Sequence, residues 1–225
     1  MSRIQACPRA ARPYLPWLAC VRAGLLVLAA AGPLTGAEPE VFVVDAARSH
    51  VRLHLGRAGL MKFLGHEHHI EAPVAEGRIE VAEGDPARSS VRLRFEAARL
   101  FVIPGSEPAG DIPKVEERMR GPEVLEVAKY PEIAFASTSV KSQLEGASGL
   151  RLVVAGTLTL KGRAFPLEIP LEVRREGGGI EVRGEVFLNL RDVGIEPPSV
   201  AGVVKVSNRF GLGFEIRTPQ PHPQP

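Results

Sequence analysis

From Val41 onward the dominant period of this chain is two. In Leu152-Val153-Val154-Ala155-Gly156-Thr157-Leu158-Thr159-Leu160 the even positions are apolar apart from one glycine. After Lys161-Gly162-Arg163 the stripe continues on odd positions through Phe165, Leu167, Ile169, Leu171 and Val173, with Glu168, Glu172 and Arg174 between them. Successive strand residues point to opposite faces, so this alternation defines strands with one apolar face. The short Lys-Gly-Arg link reads as a β-hairpin turn. Pro166 and Pro170 lie on the polar face of the second run and predict an edge or a broken ladder there. Similar stripes run through Val51/Leu53/Leu55, Val91/Leu93/Phe95, Ile180/Val182/Val186/Leu188/Leu190 and Val204/Val206/Phe210/Leu212/Phe214/Ile216. Gly177-Gly178-Gly179 marks a turn between two of them.

About eight such strands need a partner for their apolar faces, and no helical segment is long enough to supply it. Either two sheets pack together or one sheet closes on itself. Sequential hairpins favour an all-β, antiparallel barrel of about eight strands, whose interior is filled by side chains or holds one small ligand. One stretch breaks the period: Asp111 to Gly121, with an early Pro113 and with Ile112, Val115 and Met119 on one helical face, predicts a short helix over an end of the barrel. Asp45 ahead of Ser49 predicts a side-chain-tied turn.

The first 37 residues differ from the rest. Arg3, Arg9, Arg12 and Arg22 precede an apolar run from Ala23 to Ala31, which ends in Thr35-Gly36-Ala37 before Glu38. This is the pattern of an export signal, and the run is about half the ~20 residues that cross a bilayer. The expected organisation is a signal peptide over 1–37, a barrel domain over 38–217 and a disordered Pro/Gln-rich tail over 218–225. Cys7 and Cys20, the only cysteines, fall in the segment expected to be removed, leaving no disulfide or thiol chemistry. No later segment is long and apolar enough to be a transmembrane helix, and the expected location is periplasmic or secreted. A net charge of +2 and an aromatic content of 5% argue against a nucleic-acid partner.

The candidate chemistry centres on Gly65-His66-Glu67-His68-His69, which holds three of the six histidines. On a strand, His66 and His68 share one face while Glu67 and His69 share the other. That is not the helical His-Glu-x-x-His arrangement. Two histidines at i and i+2 can chelate an ion if a third ligand comes from elsewhere, with His50, His54 and Asp45 close in sequence. The expectation is that His66 and His68 are polar groups at the barrel mouth and hold no metal, a solvated strand without chemistry being the plainer alternative. No Gly-x-Ser-x-Gly elbow, phosphate loop or dinucleotide fingerprint occurs. Asp45, Glu126 and Glu196 have no spacing that pairs them as acid and base. Lys129 and Tyr130 could meet a headgroup or simply pack at a strand start. No catalytic residue and no cofactor is expected.

Four segments in order resemble the YceI-like, polyisoprenoid-binding family. They are Phe42-Val43-Val44-Asp45-Ala46-Ala47-Arg48-Ser49-His50-Val51, the block from Met119 ending in Tyr130-Pro131-Glu132-Ile133-Ala134-Phe135, Gly156-Thr157-Leu158-Thr159-Leu160-Lys161-Gly162, and Phe187 to Ile195. The resemblance covers about residues 41–216, and the histidine block departs from the small and aromatic residues many members carry there. It implies an exported, lipocalin-like barrel whose lumen holds an isoprenoid or other long-chain lipid, as carrier or sequestering protein. The lumen candidates are Leu152, Val154, Gly156, Leu158, Leu167, Ile169, Phe210, Leu212 and Phe214. Gly156 leaves an expected gap in its stripe. Two other readings stay open: a metal- or haem-associated redox or stress protein using His66–His69, and a filled structural barrel acting as an interaction module. Oligomeric state is also open, a homodimer included.

Overall fold

The computed structural model describes residues 38–58, 67–146, 149–200 and 204–219. The expected signal peptide, His66 and the tail beyond Pro219 lie outside the described residues. The chain runs β1 (Glu40–Val43), β2 (His50–Ala58), β3 (His68–Glu71), β4 (Val74–Val81), β5 (Ser90–Glu96), β6 (Phe101–Val102), α1 (Ile112–Arg120), β7 (Glu132–Gly146), β8 (Gly149–Leu160), β9 (Arg163–Glu176), β10 (Gly179–Asn189), β11 (Ser199–Val200) and β12 (Val204–Arg217).

All pairings are antiparallel, in the order β1-β4-β5-β7-β8-β9-β10-β12-β2-β3-β6, with β11 beside β12. The sheet therefore has twelve strands where the sequence predicts about eight, because the four-residue β3 and the two-residue β6 and β11 are too short to show a stripe. The sheet curls into an antiparallel half-barrel. Only Ala72-Pro73 separates β3, which pairs with β2, from β4, which pairs with β5. The strands next to the two ends of the hydrogen-bonded path, β4 and β3, are thus joined by one short stretch of chain.

Turn chemistry sets the hairpins. Lys161 and Gly162 both have positive φ (50° and 68°), as do Gly177 and Gly178 (57° and 82°). Two consecutive left-handed residues make the I′-type turn whose twist matches the flanking strands. Asp45 ties its turn as expected: Oδ1 accepts from Ala47 N at 3.1 Å and Arg48 N at 3.3 Å. Buried Ser49 then joins this turn to the last strand, its Oγ accepting from Arg217 N at 3.0 Å, while Asp45 N donates to Arg217 O at 2.8 Å.

The prolines of β9 mark a seam. Pairing with β8 passes through Pro166 (opposite Thr157) and Pro170 (opposite Val153), whereas pairing with β10 covers only Leu171 to Glu176. Residues 163–170 of β9 thus have a strand partner on one side only. A proline there has no N–H to lose from a ladder.

α1 starts at Ile112 and ends at Gly121, but Asp111 makes no side-chain capping bond. The helix is held instead by Met119, which is buried in the main core, and by Glu116, whose Oε1 accepts from Val102 N at 3.0 Å. The domain also reaches past the expected boundary at 217. Thr218 is buried and donates its N–H to Ile180 O at 3.0 Å, continuing the β10 edge.

Candidate functional site: an apolar lumen and a histidine-bearing outer wall

The inward stripes enclose a cavity of about 190 Å³. Every side chain lining it is apolar. Of the sequence candidates, Val154, Leu158, Leu167, Ile169, Phe210, Leu212 and Phe214 line it. Leu152 does not. It packs in a smaller cluster with Phe135, Val140, Val154 and Ile169. Gly156 also requires correction. A Cβ there would lie 2.4 Å from Phe135 Cζ and 2.7 Å from Ala136 O, so the expected gap is already occupied by an aromatic ring from the next strand.

Several lining residues were not nominated from sequence. Leu53, Leu93, Phe95, Leu171, Val182 and Leu188 carry the same period-two signal as those that were. Leu100, Leu125, Val193 and Ile195 carry none, since they belong to the β5–β6 connection, to the segment after α1 and to the turn after β10. The segment after α1 and the turn after β10 meet the end of the barrel where β8 turns into β9: Lys161 Nζ donates to Pro122 O at 3.4 Å, and the Tyr130 ring packs on Gly162. Gly194 adopts φ 75° in the turn after β10, and Phe165 packs against it.

The outer wall is polar, and the β2–β3 register organises it. Leu53 lies opposite Ile70, His54 opposite His69, and Leu55 opposite His68. Directly opposed residues share a face, so His68 joins the inward set while His54 and His69 look outward. His68 Nδ1 meets Glu107 Oε1 at 2.6 Å, and Glu107 is a buried residue of the connection between β6 and α1. His68 does not line the cavity. Outside, the His54 and His69 rings stack with centroids 4.4 Å apart and planes inclined by 18°. His54 Nε2 lies 3.1 Å from Glu67 Oε2, and Arg57 lies 3.6 Å from Glu67 Oε1. The His54 hydrogen bond, assisted by the charges of His54, Arg57 and His69, holds the Glu67 carboxyl below its ordinary range against the opposing effect of desolvation. Next along the wall, buried Glu71 binds His50 Nδ1 at 3.0 Å and Arg52 Nε at 2.9 Å. Together with His69, Phe101 and Ile103, these line an open outer groove. Elsewhere, Lys129 lies 5.0 Å over the Tyr130 ring, which itself packs on Gly162. Glu196 pairs with Arg191, Glu126 with Lys129, and Asp45 with the backbone of its own turn.

An antiparallel half-barrel with an apolar interior defines a lipocalin-like fold. The profile of the YceI-like domain matches residues 42–218, and the chain belongs to that family. A UPF0312 protein of Pseudomonas savastanoi pv. phaseolicola is 38% identical over 89 residues, which is 37% of this chain and 44% of that protein. Protein YceI of Salmonella arizonae is 32% identical over 81 residues, 32% of this chain and 40% of its own length. The aligned part thus spans less than half of these curated relatives. Burkholderia cenocepacia BcnA superposes with a TM-score of 0.59 at 16% identity, over 77% of this chain and 98% of that one, a likeness of fold. Among the described residues no helix is long and apolar enough to cross a membrane.

Proposed function

We propose that this is an exported binding protein that holds an apolar chain, prenyl or acyl, in the barrel lumen and carries or sequesters it without covalent chemistry. The observation that supports this reading is the unfilled, wholly apolar interior. Leu53, Leu93, Leu158, Leu171, Leu188, Leu212 and Phe214 all line the cavity, and none is fully buried although they point inward. In a filled barrel such side chains would reach the burial of an ordinary core.

Magnitudes bound what fits. A dry cavity of about 150 Å³ lined by Leu, Ile and Phe admits a benzene-sized guest. The lumen is of that order, so one isoprene-scale group enters without rearrangement. Each buried methylene contributes about 0.8 kcal/mol, and micromolar affinity is about 8 kcal/mol. About ten methylenes are therefore needed, and a chain of that length requires the leucines to change rotamer. The β9–β10 seam, where no ladder resists widening, gives them room.

The test is native purification of the exported chain, organic extraction and mass spectrometry, with N-terminal sequencing of the same material. A near-stoichiometric lipid on a chain beginning near Glu38 is the expected result. A lipid-free protein that takes up no added prenol or fatty acid would reject the binding reading, and retained Cys20 would reject cleavage after Ala37.

A further inference from the structure

We propose that His54, Glu67 and His69 form a surface site for a divalent transition-metal ion of the zinc, copper and nickel class. The site is separate from the lumen. Sequence spacing directs attention to His66 and His68, which share a face by alternation, but the folded ladder selects a different trio. Glu67 and His69 stand at i and i+2 on one face, and the β2–β3 register sets His54 directly across from His69. One donor atom from each of the three lies within 4.8 Å of the others.

The donor set suits the ion. Two imidazole nitrogens and one carboxylate oxygen match zinc and its neighbours, which prefer nitrogen and mixed nitrogen–oxygen ligands over all-oxygen cages. Bonds of about 2.0–2.1 Å put tetrahedral donors roughly 3.3 Å apart, so the donors must close by no more than about 1.5 Å. His54 and Glu67 are exposed and His69 partly so, and torsions of the side chains supply that movement while the strands stay still. The stacked rings already hold the two imidazoles 4.4 Å apart, centroid to centroid. Arg57 lies on Oε1 of Glu67, leaving Oε2 turned to His54, which is the role of an outer group that orients a ligand. The guanidinium charge also opposes a cation, which disfavours weakly bound magnesium or calcium more than an ion held by nitrogen. A fourth position faces solvent and takes water.

The other histidines on these strands are committed elsewhere. His50 is bound to Glu71 and His68 to Glu107. They provide the control. Untagged full-length chain, stripped with a chelator, is titrated with Zn²⁺, Cu²⁺ and Ni²⁺ by calorimetry, and the Cu²⁺ form is examined by electron paramagnetic resonance for nitrogen ligation. One ion per chain with two coordinated nitrogens is expected. H69A, H54A and E67Q should each weaken binding by about 10–100-fold or more, the scale seen even for outer groups of metal sites. The double variant H50A/H68A should retain it. Circular dichroism confirms that each variant is folded. Absence of stoichiometric binding overturns the proposal, as does binding that survives in H69A or is lost in folded H50A/H68A.

Discussion

Replacing Leu158 by Phe puts three additional carbons into the barrel at a position whose response distinguishes an open lumen from a packed one. Leu158 lies opposite Phe135 on β7 and Phe165 on β9, lines the cavity and is only partly buried. If the carbons enter empty apolar space, they contribute up to about 2.4 kcal/mol, at about 0.8 kcal/mol each. If the site is already close-packed, the same change overpacks it and costs about 1–3 kcal/mol. For a chain of this size each kcal/mol moves Tm by about 2–4 °C. Part of the gain is lost to the fixed rotamer of the new ring, so the expected outcome is a Tm unchanged or raised by up to roughly 5 °C. Uptake should fall in the same variant, because the ring takes space that a guest needs. Calorimetric melting gives the first quantity, and fluorescence of a polyene fatty-acid probe, competed with farnesol, gives the second. A Tm lowered by more than roughly 4 °C, or undiminished uptake at raised Tm, would refute the reasoning.

Gly156→Ala should destabilise by about 1–3 kcal/mol in urea titrations, because its methyl group meets the Phe135 ring and the Ala136 carbonyl. Phe135→Leu in the same chain should recover part of that loss, and strict additivity would contradict the assigned contact. Lys161→Asn should raise Tm slightly, by about 1–3 °C, since Asn tolerates positive φ better at this turn position. Acid should weaken the fold: hydrogen bonds from Arg94, Arg78 and Arg217 hold the carboxyls of Glu76, Glu80 and Glu215 below their ordinary value of 4.5. A depressed folded pKa gives stability that is complete above the unfolded value and is lost as pH falls through the folded one. Urea midpoints should therefore drop below about pH 4.5, less steeply in Arg217→Met, and midpoints that stay flat to about pH 3 would contradict the sign.

The alternation made the inward residues of β8, β9 and β12 legible, because a period of two is a property of one strand at a time. What lies across from a strand is not. The occupied space above Gly156 belongs to Phe135, twenty-one positions earlier in the chain and brought there by the β7–β8 register. The His54–His69 pair likewise depends on how β2 and β3 align, and a shift of one residue would put His54 against His68. Leu125, Val193 and Ile195 escaped for another reason. They sit in turns, where side-chain direction follows local torsions and no periodic signal exists. The prolines of β9 were readable as a ladder defect because a missing N–H is a chemical fact of the residue, whatever its neighbours.

The tie between Ser49 and Arg217, and the β2–β12 ladder beside it, has a kinetic consequence. Strand β2 waits for a partner made roughly 160 residues later, so its pairing is among the most non-local contacts a domain of this length can have. Closing so long a loop costs entropy before any contact rewards it, and chains of this topology fold slowly. A nascent chain that stops short of Val204 leaves β2 paired only with β3 and residues 185–189 of β10 without a strand partner, and it cannot enclose the lumen. The β4-β5-β7-β8-β9-β10 part of the sheet has its partners earlier, and the barrel closes only after its last strand has been synthesised.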